Sequence, residues 1–369
     1  MKKVLILTTS TGQGHNQAAN SLIEALTDTG FECVKHDFLA SDNKFTNKIV
    51  VWSYEFSASK FPYIYGFFYK LTDNKYINRF NSIFFLSVAL KLSKYIKKEK
   101  PDLIIGTHPF VVNIIDMLKR WGMNTPFMAI VTDFKAHYTY ISPLVDAYIT
   151  GSKSTKNYLI SEGIKSDIIY PIGIPIKESF LENDINIPHV KDKEYFSLLL
   201  MSGSMGLNSI SYVLDELLNN KHKLRITVVC GNNEKLRKSL LKKCEKNYSG
   251  KKIHILGFSN DISSFMEYSD VLISKPGGLT VTEAIIKNLP IIIPFVIPGQ
   301  EKDNAKFLES NGYSYYIDNI KSINSLIDEI IENPEKLEEI KRNLKELSST
   351  YSNKEIIHIA NNLINKNHP

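Results

Sequence analysis

Cysteine is nearly missing from this chain. Its 369 residues hold three, Cys33, Cys230 and Cys244, which are far apart, odd in number and without the spacing of a metal site. That argues against a disulfide-framed secreted domain and fits a reducing cytoplasm. Long apolar runs are missing too, since no stretch reaches the roughly 18 residues that span a bilayer. The opening MKKVLILTTS has two lysines and an apolar run. That run is too short for the core of a signal peptide and reads as a first strand. Nucleotide fingerprints are incomplete as well. Ser10-Thr11-Gly12-Gln13-Gly14-His15 contains G-x-G, but no third glycine follows at the dinucleotide spacing and no Lys-Ser/Thr pair completes a P-loop. The expected protein is soluble or peripheral, with neither nucleotide motif.

What is present is an α/β rhythm. The length exceeds a typical single core, so two domains are expected. Short apolar strands are expected at Val4–Thr8, Asp102–Gly106, Phe127–Thr132 and Asp146–Gly151, with helical periodicity between them. A second series follows at Phe196–Met201, Leu224–Cys230, Ile253–Leu256, Val271–Ser274 and Ile291–Phe295. The implied fold is α/β, two Rossmann-like doubly wound domains. The boundaries read as 1–175, a linker over 176–195, a second domain over 196–347 and a helical tail over 348–369.

The most informative stretch is LISKPGGLTVTEAIIKNLPIIIPFVIPGQEKDN, Leu272 to Asn304. Gly277 and Gly278 stand just ahead of a helix, where backbone amides and the dipole favour an anion such as a diphosphate. Glu283, in the first turns of that helix, offers a carboxylate suited to a ribose diol. Gln300 and Glu301 follow the next strand, at the edge where open α/β sheets gather ligands. Together these describe a nucleotide-sugar pocket. Taken alone, Pro-Gly-Gly also describes an ordinary tight turn, and Glu283 an acid that complements a dipole. Ser202-Gly203-Ser204-Met205-Gly206 is a second glycine loop suited to phosphate.

In the first half, polar side chains recur at strand ends. His15 follows Gly14, His108 follows one strand, and Asp133 and His137 follow another. Each alone fits a satisfied loop residue. Four on one edge fit an acceptor and catalytic face, with His15 best placed as a general base.

Charge is uneven. Residues 1–175 hold 20 Lys/Arg against 14 Asp/Glu, whereas 176–369 hold 25 of each, so the net charge of +6 lies in the first half. Residues 44–100 alone carry 11 basic and 3 acidic side chains, and residues 45–85 contain 14 aromatics. Trp52, Phe61, Tyr63, Tyr65, Phe67, Phe68 and Lys70 typify this mixture. Solvated lysine helices and core aromatics explain part of it. An interfacial membrane surface or a base-stacking surface for single-stranded nucleic acid also fits.

Six motifs then resemble one family in order along the chain: TGQGHNQAA at 11–19, TDFKAHYTY at 132–140, GIPI at 173–176, GSMG at 203–206, KPGGLTVTEA at 275–284 and PGQEKDN at 298–304. The chain is similar to the monogalactosyldiacylglycerol synthase and processive diacylglycerol glucosyltransferase family, which is glycosyltransferase family 28-like. The resemblance implies a GT-B fold, with two Rossmann-like domains facing a central cleft, the first for acceptor and membrane and the second for a UDP-sugar. It implies inverting transfer of a hexose, glucose or galactose, from the UDP-sugar to the 3-hydroxyl of 1,2-diacylglycerol. His15 becomes the base, with Gly14, His108, Asp133 and His137 on the acceptor side. Ser204, Met205, Gly277 and Gly278 approach the diphosphate, Glu283 the ribose, Gly257 and Phe258 the uracil, and Gln300 and Glu301 the sugar, with Gly203, Lys275 and Thr280 also in the UDP-sugar site. No DxD-type metal pair stands at a strand end, so no metal or cofactor is expected. A bilayer-bound acceptor makes the basic, aromatic 44–100 region a docking face on the inner surface of the cell membrane and leaves nucleic acid without a role. Two alternatives keep the donor site: an N-acetylglucosamine transferase acting on a polyprenyl-linked saccharide, and a UDP-sugar epimerase that needs no membrane.

Overall fold

A computed structural model of the chain describes residues 1–9, 13–38, 73, 85–181, 194–201, 209–246 and 248–367. It contains two compact units, each built on a six-stranded parallel sheet. In the first, β1 (Lys3–Thr8), β2 (Glu32–Asp37), β3 (Leu103–Gly106), β4 (Phe127–Ile130), β5 (Ala147–Ile149) and β6 (Ile169–Tyr170) lie in the order β2-β1-β3-β4-β5-β6. In the second, β7 (Phe196–Met201), β8 (Leu224–Val229), β9 (Lys251–Leu256), β10 (Val271–Ser274), β11 (Ile291–Ile293) and β12 (Ser314–Tyr316) lie in the order β12-β11-β10-β7-β8-β9.

The central strands are short continuous apolar runs because helices cover both faces. On one face of the first sheet, Leu5, Leu7 and Ile104 pack with α2 (Leu86–Glu99) and α3 (Pro109–Arg120). On the other, Val4, Ile6, Leu103 and Ile105 meet α1 (Gln13–Thr27) and the C-terminal helix Asn353–Asn367. This unit also contains α4 (Lys153–Ser161), where Ser152 accepts from the Thr155 amide at 3.1 Å. A short turn of helix, α5 (Glu178–Leu181), follows.

Aspartates set strand alignment at the edge opposite the candidate sites. Asp102, just before β3, accepts from the Lys3 amide of β1 at 2.7 Å. Asp146, just before β5, accepts from the Phe127 amide of β4 at 2.7 Å and pairs with Lys119 at 2.5 Å. Asp270, just before β10, accepts from the Ser197 amide of β7 at 2.8 Å. In each case a carboxylate satisfies an amide that a strand's first residues would otherwise leave without a ladder partner.

The second unit carries α6 (Ser209–Leu218), α7 (Glu234–Lys243), α8 (Ile262–Tyr268), α9 (Gly278–Ile286), α10 (Gln300–Ser310) apart from its first residue, α11 (Ile323–Glu332) and α12 (Pro334–Ser348). The charged segment over 320–347 is divided between α11 and α12 at Asn333-Pro334, where proline opens α12.

The units do not follow the sequence boundaries throughout. The first comprises Met1–Glu178, Ile297–Gln300 and Thr350–Pro369, and the second comprises Ser179–Val296 and Glu301–Ser349. The expected tail is thus part of the first core. Its helix, α13 (Asn353–Asn367), buries Ile356, Ile359, Ala360 and Ile364 there, each isoleucine contributing about 1.5–3 kcal/mol of transfer free energy. Ile176, where the linker was expected to begin, is buried in the same unit, and its carbonyl accepts from Asn353 Nδ2 at 2.9 Å.

Gly173, from the GIPI motif, joins the two parts. Its φ of +95° disfavours any side chain, and a Cβ there would lie 2.6 Å from Cγ of Tyr351. The Tyr351 hydroxyl in turn donates to the Gly151 carbonyl at 2.5 Å. Gly173→Ala is expected to lower stability by about 2–4 kcal/mol in urea unfolding. A loss under about 0.5 kcal/mol, within the range of an ordinary surface change, would refute this account of the motif.

Candidate active site

In each sheet the strand order reverses direction beside the first strand of the unit, between β1 and β3 and between β7 and β10. Ligands of open α/β sheets collect outside the carboxyl ends of the strands at such points.

At the first switch point, Thr8, Thr9 and Thr107 are fully buried at the strand ends. His15 is the third residue of α1. Its Nδ1 lies 2.7 Å from the Thr107 carbonyl oxygen and 2.9 Å from the Thr132 hydroxyl. A carbonyl only accepts, so Nδ1 carries the proton and Nε2 is the nitrogen with a free lone pair. Burial pushes the imidazole below its ordinary value near 6.5, against the Asp133 carboxylate and the Thr107 carbonyl, which both favour the charged form. The result is a neutral ring at neutral pH, the state a proton acceptor needs.

His108 is buried and meets His15 edge to face, with ring centroids 4.5 Å apart at 64°. Its Nδ1 accepts from the Phe110 amide at 3.2 Å and so caps α3. Burial, and secondly the charge of His15, hold it well below the ordinary histidine value. Buried Asp133 follows β4, and its Oδ1 accepts from Gln300 Nε2 at 2.5 Å, both residues belonging to the first unit. His137 is turned to its own loop. Its Nδ1 accepts from the Thr139 amide at 3.2 Å and the Thr139 hydroxyl at 2.7 Å, and its Nε2 lies 3.9 Å from Asp73 Oδ1. Gly14 has open space where a Cβ would point.

In the second unit, Gly277 caps α9 with no side chain, and a Cβ built on it would meet nothing within 4 Å. No acidic residue stands in the first turn of α9. The helix's own first turn thus sets no negative charge against its free amides, an arrangement that suits an anion. Lys275 Nζ lies 2.9 Å from Glu301 Oε1, tying the Pro-Gly-Gly turn to the start of α10. Asn304 Nδ2 donates to the Pro276 carbonyl at 3.4 Å from the same helix. Thr280 and Glu283 are partly exposed on α9. Gly257 and Phe258 follow β9, with Phe258 64% exposed, which leaves an aromatic face open to a planar partner. A cavity of about 500 Å³ also opens past β11 and β12, lined in part by Tyr212, Phe295, Tyr316 and Asp318. Sequence reading gave no sign of it. Gly203, Ser204 and Met205 lie outside the described residues, as do Trp52, Phe61, Tyr63, Tyr65, Phe67, Phe68 and Lys70. Among the described residues, no three His, Cys, Asp or Glu side chains gather in a way that could hold a metal ion.

Comparison with known proteins follows the same division. The monogalactosyldiacylglycerol (MGDG) synthase profile matches residues 15–176, and the glycosyltransferase family 28 C-terminal domain matches residues 197–357. The processive diacylglycerol beta-glucosyltransferase of Bacillus licheniformis is 32% identical, with 96% of this chain and 94% of the relative covered. The enzyme of that name from Bacillus subtilis is 30% identical over the same shares. The chain belongs to this family. Among solved structures, MurG of Acinetobacter baumannii superimposes with a TM-score of 0.68 at 14% identity, covering 97% of this chain and 99% of that one. The fold is GT-B, and the protein is a glycosyltransferase.

Within this GT-B chain, His15, His108 and Asp133 lie around one switch point and Lys275, Gly277 and Gly278 around the other. His137 supports a turn. Gln300 and Glu301 open a helix, where the sequence suggests a loop, and the two face different partners. Thr107, Thr132 and Tyr140, which surround His15, are not singled out by sequence. Thr132 and Tyr140 stand in the TDFKAHYTY motif, the one signal that points to them.

Buried His108 and half-buried His15, both held neutral, make stability depend on pH. Unfolded, both take a proton near pH 6.5, whereas the folded state resists it. The unfolded state therefore binds more protons below that value, and stability present above about pH 7 is lost as pH falls through 6.5 toward the lower folded values. The thermal midpoint should drop between pH 7.5 and pH 5, and His108→Gln should flatten the drop. An equal slope in wild type and variant would remove His108 as a source.

Proposed function

We propose that this protein transfers glucose from UDP-glucose to the 3-hydroxyl of 1,2-diacylglycerol with inversion at the anomeric carbon. The observation that carries the reading is the His15 tautomer, fixed by the Thr107 carbonyl at 2.7 Å in a chain 32% identical to a diacylglycerol glucosyltransferase across 96% of its length. His15 Nε2 takes the proton of the acceptor hydroxyl as its oxygen attacks the anomeric carbon. The bond from that carbon to the β-phosphate oxygen breaks, and UDP leaves with the electron pair. One displacement inverts the configuration.

The departing diphosphate gains charge, and the N-terminus of α9 with Lys275 suits it. Gly203, Ser204 and Met205 would complete that cradle, Thr280 would add a hydroxyl, and Glu283 would take the ribose. Backbone at Gly257 and Phe258 would hold uracil, and Gln300 and Glu301 would read the sugar. Helix dipole and lysine replace a divalent ion in this scheme, so the reaction proceeds without metal.

A diacylglycerol acceptor stays in the bilayer, so the protein works at a membrane surface. Among the described residues no helix is long and apolar enough to cross a membrane. Helix α2, at the end of the basic, aromatic region, supports peripheral docking on an anionic cytoplasmic leaflet. It exposes Leu86 and Leu90, one turn apart, beside exposed Lys91, Lys94, Lys97 and Lys98, and each lysine near such a surface adds about 1 kcal/mol.

The decisive assay offers UDP-glucose and UDP-galactose separately, with diacylglycerol in anionic liposomes and EDTA present. Glycolipid from UDP-glucose is expected. Product from neither donor overturns the acceptor, and product only after magnesium is restored overturns metal independence. For docking, co-sedimentation with phosphatidylglycerol-containing vesicles should weaken as salt rises. The double variant Leu86→Asp/Leu90→Asp should lower it further, and unaltered binding would remove α2 from the docking face.

A further inference from the structure

Among the described residues, two oxygen groups lie within hydrogen-bond distance of His15 Nδ1, and neither is a carboxylate. The Thr107 carbonyl is 2.7 Å from Nδ1 and the Thr132 hydroxyl oxygen is 2.9 Å from it. The Thr132 hydroxyl is also 3.0 Å from the hydroxyl of Tyr140, which lies 3.4 Å from the Thr132 amide. Thr132 is 6% exposed and Tyr140 is fully buried.

The proton positions follow from what each atom can do. The Thr107 oxygen has no proton, so Nδ1 supplies the one between them. Nδ1 then has no lone pair left for a hydrogen bond, and the Thr132 oxygen faces it as a second acceptor. The Thr132 and Tyr140 hydroxyls are hydrogen-bonded to each other, with either able to donate, and the Thr132 amide also donates to the Tyr140 oxygen. Burial, with the nearby Asp133 charge, keeps the Tyr140 phenol protonated, so the chain ends in a neutral group that takes no proton from Thr132.

We propose that Thr132, held by Tyr140, is a positioning residue that fixes the His15 ring and steadies the imidazolium formed during transfer. The inference rests on His15 being the base. When Nε2 gains a proton, the ring carries one positive charge and both nitrogens are donors. The Nδ1 proton stays where it is, now shared between two oxygen dipoles set in place beforehand, so no reorganisation is needed as the charge develops. A hydroxyl steadies the ion less strongly than a carboxylate, because it adds a dipole and not a charge. It also leaves the resting ring neutral, since an anion at Nδ1 would raise the proton affinity of the ring. Asp133, on the residue after Thr132, supplies a more distant negative charge.

Four variants are compared with wild type on UDP-glucose and diacylglycerol liposomes: Thr132→Val, Thr132→Ser, Tyr140→Phe and His15→Ala. Thr132→Val keeps the shape and removes the hydroxyl. It should lower kcat roughly 10- to 100-fold, a part of what a general base contributes, with the KM for UDP-glucose and the affinity for UDP unchanged. Thr132→Ser should restore most of kcat. Thr132→Val should add nothing in a His15→Ala background, because both act through one ring.

If His15→Ala is inactive while Thr132→Val keeps full kcat, the positioning role is overturned and the base survives. If His15→Ala keeps full turnover, the base itself is overturned. A Thr132→Val loss that serine does not restore, or that adds to the loss in His15→Ala, assigns Thr132 to packing and also overturns the proposal. Should Thr132→Val fail to fold, Tyr140→Phe decides. It removes only the far hydroxyl and should lower kcat several-fold, and an unaltered kcat overturns the chain.

Discussion

The carbonyl of Thr107 determines which nitrogen of His15 can accept a proton. That oxygen is main chain, so no substitution at residue 107 removes it, and its position is set by the pairing of β1 with β3. Thr107 follows the last paired residues, Leu7 and Gly106, and its own amide donates to the Leu7 carbonyl at 3.1 Å. The sheet thus holds the histidine directly, through a backbone group at its carboxyl edge. His15 reaches that edge because α1 begins only a few residues beyond β1, which places the third residue of the helix over the neighbouring strand.

The same logic operates twice with different chemistry. Both sheets are aligned at their amino edges by aspartates that take strand amides, Asp102 and Asp146 in the first and Asp270 in the second. Both present a switch point at the carboxyl edge. In the first unit the exposed elements are a histidine and strand carbonyls, which suit moving a proton. In the second they are a helix N-terminus, glycine and lysine, which suit holding an anion. Parallel strands make this possible because all their carboxyl ends, and the helix starts that follow them, fall on one side.

Sequence made this architecture legible where burial is two-sided. Phe196–Met201 and Val271–Ser274 match the expected strands residue for residue, because an apolar run between turn signals has few other readings. The edge strands β2, β6 and β12 escaped notice, whereas β9 was expected over Ile253–Leu256. ECVKHD at β2 is half polar, and its identity as a strand comes from pairing with β1 and not from its own pattern. Helix α10 escaped because PGQEKDN reads as a polar loop, whereas its glutamate and aspartate are first-turn residues that complement the helix dipole. The site was legible as residue types and not as partners. His15, His108 and Asp133 stand out as polar groups at strand ends. That Thr132 and Tyr140 converge on His15 depends on a chain reversal from β4 through the turn at Tyr138–Tyr140, and spacing alone does not encode it.

Adjacent residues can also have unrelated partners, and Gln300 and Glu301 illustrate it. Gln300 donates to Asp133, and Glu301 accepts from Lys275. Successive residues in the first turn of a helix point about 100° apart, so one peptide step turns one side chain to the carboxylate nearest the histidine and the next to the lysine of the Pro-Gly-Gly turn.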